Sequence, residues 1–146
     1  TTDLDFGRHP ASAASHDLSL PTLGNVQTTL TDHRPSVGLP AASGPWQVSV
    51  AANGPLTGRT TQAVITGAQL VFAAADTGTA QNVTTAGGVL ALTDNASETL
   101  TLGQSSVYGS ASLNWAPAKI QLNLPAQTIT PDTYQTTITW TVTDGL

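Results

Sequence analysis

The 146-residue chain carries nine acidic residues against four basic ones, a formal net charge of −5, with only 9% of its residues charged, against about a quarter in an ordinary globular protein. Its cations Arg8, Arg34, Arg59 and Lys119 are scattered, so there is no basic patch to neutralise phosphates or anionic headgroups, and neither a nucleic acid nor a membrane surface is expected as a partner. Cysteine is absent, which excludes a disulfide framework, zinc ribbons and thiol catalysis together, and the length predicts one domain over residues 1–146 around a single core.

No segment holds apolar residues at three- and four-residue spacing for more than about two turns, so the chain reads as strands and loops. Thr1 stands where a start methionine would, and the natural start, with a signal peptide, is expected upstream. Asp3–Phe6 and Val26–Leu30 suit edge strands. His9, His16 and His33 show no His-x-His or His-x-x-x-His spacing, so they are expected in solvated loops and not as metal ligands. Leu20-Pro-Thr-Leu-Gly24 reads as a turn, and so does the proline-bounded stretch Pro35 to Pro45. Trp46-Gln-Val-Ser-Val50 alternates apolar and polar residues, the pattern of a strand packed on one face and wet on the other.

After the Asn53-Gly-Pro55 turn, Ala63–Ala73 reads as one or two strands with a bulge or bend near Gly67. The longest mostly apolar stretch, Ala63 to Ala75, is broken by Thr66, Gly67 and Gln69. It is too short to cross a bilayer, and no membrane insertion is expected. Asp76-Thr-Gly78 matches the triplet of aspartic proteases, but that chemistry needs two carboxylates sharing a proton, and only one such triplet exists. Asp76 to Tyr108 is the least decided region and reads as loops around two short strands, Val89–Leu92 and Thr99–Leu102. Asp94, Asn95 and Glu98 lack the spacing of a calcium loop. No pair of acids suggests glycosidase chemistry. No enzyme activity, cofactor or metal is expected.

Tyr108 lies between Gly103 and Gly109 and reads as an exposed loop aromatic. Trp115, flanked by Asn114 and Pro117 in a turn-like setting, is the indole expected to be exposed to a ligand. Ile120-Gln-Leu-Asn-Leu124 alternates like the first Trp strand. The clearest strand is Tyr134–Thr143, with Tyr134, Thr136, Ile138, Trp140 and Val142 on one face and Gln135, Thr137, Thr139, Thr141 and Thr143 on the other. Alternation favours a core position for Trp46 and Trp140, whereas stacking on a sugar ring is the functional alternative.

The segment from Pro125-Ala126 through Tyr134 to Trp140-Thr-Val142 and Thr143-Asp-Gly145 closely resembles the closing signature of WxL domains, with Val142 where the family has Leu. Gly44-Pro-Trp-Gln-Val48 is similar to the family's first Trp motif, again with Val48 for Leu. Leu4-Asp-Phe-Gly7, Gly67-Ala-Gln-Leu70, Trp115-Ala-Pro117 and Lys119-Ile-Gln-Leu122 follow in the family's order, while Asp76 to Ser112 matches poorly. The resemblance implies a secreted module of Gram-positive bacteria that attaches non-covalently to the cell wall, with peptidoglycan or another wall polymer as ligand and a companion surface protein as an alternative partner, held by strand addition. Trp46, Val48, Trp115, Trp140, Val142 and Tyr108 are the candidate motif and ligand residues. The expected fold is an all-β antiparallel sandwich or barrel-like body of roughly eight to ten strands with little helix, its two Trp strands set back to back.

Overall fold

A computed structural model describes residues 4–9, 14–19, 26–30, 45–77, 83–94, 98–105 and 111–144. Thirteen strands occur among them in chain order: β1 (His16–Ser19), β2 (Val26–Leu30), β3 (Trp46–Ala52), β4 (Leu56–Gly58), β5 (Val64–Ile65), β6 (Gln69–Phe72), β7 (Val83–Thr85), β8 (Gly88–Ala91), β9 (Thr99–Ser105), β10 (Ala111–Trp115), β11 (Ile120–Leu124), β12 (Tyr134–Gln135) and β13 (Ile138–Asp144). The one helical turn among the described residues is a 3-10 turn, Pro117–Lys119.

There are more strands than expected because β1, β4, β7 and β10 form where the sequence pattern marks none, and because a break divides the expected Tyr134–Thr143 strand. Asn53-Gly-Pro55 parts β3 from β4 and Thr136-Thr137 parts β12 from β13. Gly67, at φ +73°, parts β5 from β6 in the left-handed region that glycine enters without steric cost.

Two four-stranded antiparallel sheets form the body, in the orders β1-β11-β6-β8 and β13-β3-β9-β7. They face each other across the core. Phe72 of β6 meets Trp140 of β13 edge to face at 6.4 Å between ring centroids, and a Cβ added at Gly88 of β8 would lie 2.5 Å from the Leu100 side chain of β9. A β2–β10 ribbon and a β12-β4-β5 sheet complete the molecule. Alternate residues drive the packing: Trp46, Val48, Val50 and Ala52 of β3, Leu70 and Phe72 of β6, Leu113 and Trp115 of β10, and Ile120, Leu122 and Leu124 of β11 are all buried. Each large side chain so enclosed contributes roughly 1.5–3 kcal/mol.

Three expectations need correction. Leu4 to Phe6 belongs to no strand; Gly7 donates its N–H to Asp5 Oδ1 at 2.8 Å and sits at φ +77°, so a local turn replaces the ladder. The two Trp strands are not back to back: β3 and β13 are neighbours in one sheet, paired from Ile138↔Ala52 to Asp144↔Trp46. The undecided stretch holds a further strand, β7, besides the expected β8, and β9 runs past Leu102 to Ser105 in the middle of its sheet. A bulge makes Leu102 the extra residue between the pairs Ser49↔Thr101 and Val48↔Gly103, which breaks the period-two pattern there.

Candidate functional site

Val48 and Val142 lie directly opposite each other in the β3–β13 ladder, with Trp46 and Trp140 two residues further on toward opposite ends. The four therefore share one face of one sheet. Trp46 and Val48 are buried, Trp140 is half-buried and Val142 is 53% exposed. Among the described residues β13, which carries Val142, stands at the edge of its sheet.

Trp115 corrects the expectation of an exposed indole. It is fully enclosed, donates Nε1–H to the Ala73 carbonyl at 3.0 Å, and packs against Phe72 at 6.1 Å and Trp140 at 5.8 Å. The reason is local: Ala111, Leu113 and Trp115 form the buried alternation of β10, and the chain turns only after it. Trp46 Nε1 is buried with no partner among the described residues. Tyr108 and His33 lie outside the described residues, as does the side chain of His16, whose backbone opens strand β1 opposite Leu124 and not the expected loop. His9 is exposed and contacts the Phe6 carbonyl. Asp76 is exposed and exchanges backbone hydrogen bonds with Asn114 at 2.8 and 2.9 Å. Among the described residues no three His, Cys, Asp or Glu come together as a metal site.

The opposite, outward face of the same sheet has a different chemistry. By register it holds the rows Thr143–Gln47–Gln104–Thr84, Thr141–Ser49–Thr101 and Thr139–Ala51–Thr99, without one ionisable side chain. The three β13 threonines, Thr84, Thr99 and Gln104 are exposed. Gln47 Nε2 donates to Thr101 Oγ1 at 2.9 Å across the face, and Ser49, at 6% exposure, fills the middle. Side chains on a pleated sheet stand at fixed spacings, so the face is an ordered array of hydroxyls and amides.

At one end the face runs into a cleft of about 440 Å³ where β3–β4 and β12–β13 bend together. Asn53 fixes the bend. Its backbone N–H donates to the Thr137 carbonyl at 3.0 Å and its Nδ2 to Thr137 Oγ1 at 2.8 Å, while its Oδ1 accepts from Thr139 Oγ1 at 3.1 Å. Thr136 Oγ1 donates to the Gly54 carbonyl at 2.7 Å. Asp94 overhangs Gly54, whose missing Cβ would stand 3.4 Å from Oδ1. The pattern Thr-x-Thr-x-Thr in β13 marked this polar face in the sequence, but nothing there marked Asp94 as its neighbour.

A second, larger opening of about 1490 Å³ lies beneath, between the inward side of Tyr134, Ile138 and Trp140 and the leucines Leu18, Leu70, Leu122 and Leu124, with Leu4 and Phe6 along it. Its rim is fastened by Asp132, whose carboxylate accepts from the N–H and Oγ1–H of Thr61 at 2.8 and 2.7 Å and from the Thr60 and Thr133 N–H groups. The Thr61 backbone bond, then its hydroxyl, lower this carboxyl to about 2. Tyr134 donates its hydroxyl proton to the Thr130 carbonyl four residues upstream, tying the turn to the strand in the manner of a tyrosine corner.

Residues 1–145 match the family model described as WxL domain surface cell wall-binding. No curated protein and no solved structure gives a significant match. With the family's two Trp motifs zipped side by side in one ladder and the match running over almost the whole sequence, the chain belongs to the WxL family of cell-wall-binding surface domains.

Proposed function

We propose that the module attaches a secreted protein to the wall by binding peptidoglycan, and that the contact surface is the uncharged outward face of β13-β3-β9-β7. The observation that carries this is the hydroxyl and amide array on a chain with so few charges. A polymer of hydroxyls and amides finds a donor or acceptor at every step along it, and no ion has to be desolvated. Trp46, Val48, Trp140 and Val142 act from beneath, holding β3 and β13 in register so that the threonines opposite them stay in line, and Trp115 braces Trp140. Binding is non-covalent and the module is not an enzyme. Pelleting with purified peptidoglycan tests the proposal. Wild type is expected in the pellet, and Thr141→Glu, which puts a charge on the face, in the supernatant with an unchanged circular dichroism spectrum. A Thr141→Glu variant that pellets like wild type would remove the face from the binding surface.

One observation supports a second reading, a companion surface protein added as a further strand. Among the described residues β13 is an edge strand of seven residues with no proline or lysine to discourage pairing, and unpaired edges are templates for strand addition. A complex recovered from surface extracts that survives digestion of the wall glycan favours this reading. One that disperses on digestion rejects it.

A further inference from the structure

We propose that the cleft at the end of the threonine face is a subsite for one acetamido-bearing sugar unit of the wall glycan, with Asp94, Gln135 and Asn53 as its specificity-determining residues. The assignment rests on the peptidoglycan reading above and sharpens it from a polymer to a chemical group. Three features support it.

The first is continuity. Asn53, Gln135 and Thr137 continue the outward positions of β3 and β13, so a chain lying along the threonines reaches the cleft without changing face. The second is size: about 440 Å³ falls within the ~300–1,000 Å³ of small-molecule sites. The third is the arrangement of donors and acceptors. Asp94 is the single charged residue of the lining, it accepts only, and neither its carboxylate nor the Gln135 amide has a partner among the described residues. Pro55 adds an apolar surface between these polar groups.

An acetamido group presents the complement: an N–H for the carboxylate, a carbonyl for an amide N–H, and a methyl for the proline ring. An N–H bond to an ionised carboxylate is roughly twice as strong as a neutral one. An ammonium from a stem peptide would use the carboxylate alone and leave the Gln135 amide and the Pro55 ring unused.

The test titrates the full chain, followed by amide NMR, with the tetramer of β-1,4-linked N-acetylglucosamine, with cellotetraose, which lacks the acetamido groups, and with a free stem peptide. Expected are shifts at Asn53, Asp94, Gln135 and Thr137 with the acetylated tetramer alone, and affinity reduced about tenfold or more by Asp94→Ala and by Gln135→Ala. Both positions are exposed, and an unchanged spectrum elsewhere reports an intact fold. Equal binding of cellotetraose, or shifts at Asp94 with the stem peptide alone, overturns the acetamido assignment. If neither variant alters tetramer binding or pelleting while Thr141→Glu abolishes pelleting, the subsite falls and the peptidoglycan reading stands. A wild type that binds the tetramer in the cleft but does not pellet keeps the subsite and removes wall attachment.

Discussion

Trp46 and Trp115 are both buried indoles, yet among the described residues only Trp115 finds an acceptor for its N–H, so a Phe substitution costs less at Trp46. Trp115→Phe leaves the Ala73 carbonyl without its donor and opens a void beside Phe72 and Trp140, which costs about 2–4 kcal/mol. Trp46→Phe removes a buried donor with no acceptor among the described residues, and the relief, about 1–3 kcal/mol, offsets much of the lost packing. Urea denaturation of the two variants checks the ordering; equal losses would show that Trp46 Nε1 is satisfied. Asp132 acts at the same scale through pH. Its folded value of about 2 lies below the ordinary 3.8, so its contribution is complete above about pH 4 and disappears as the pH falls through about 2. The wild-type melting temperature is expected to fall more steeply than that of Asp132→Asn between those limits. Parallel curves would show that the carboxylate does not fasten the Thr60–Thr61 loop.

At the level of strands, what the sequence disclosed depended on uninterrupted alternation. β3, β11 and β13 were readable because nothing disturbs their period of two, and the polar row of β13 came with the apolar one. β9 was readable only as far as Leu102, since the bulge there puts two consecutive residues, Leu102 and Gly103, into the interior. Trp115 escapes the pattern for a related reason: Pro117 suggests a loop, although the buried period of β10 includes the indole. The cleft was invisible because Asp94 reaches Gly54 from a different part of the chain, and sequence spacing does not report such proximity. Neighbouring glycines offer a test of strand packing. A Cβ at Gly87 would stand 2.5 Å from the backbone oxygen of Phe72, whereas one at Gly88 would meet the movable end of Leu100. Gly87→Ala is therefore expected to cost about 1–3 kcal/mol and Gly88→Ala less, by chemical denaturation. The reverse order would mean that β6 and β8 yield more readily than the core.

For the molecule as a whole, low charge is the property with the widest consequences. Association through hydroxyls and amides does not depend on counterions, so retention on peptidoglycan is expected to change little between about 0.05 and 0.5 M NaCl, whereas binding driven by surface charge weakens steeply over that range. Elution by salt alone would transfer the binding to the scattered cations and acids. Sandwich, family match and wall-binding role form a consistent set, and the proposed polar face would give that role a physical basis that the enclosed indoles do not.

The antiparallel zipper of β13 on β3, seven residue pairs long, also bears on mechanics. Tension applied along the axis of β13 loads all of its rungs in shear at once, whereas tension across it would part them one after another. A tether pulled along that strand is expected to rupture at markedly higher force than one pulled sideways from Thr139, as single-molecule stretching can measure. A module that holds a protein to a wall under flow gains from being strongest in the direction of its own strands.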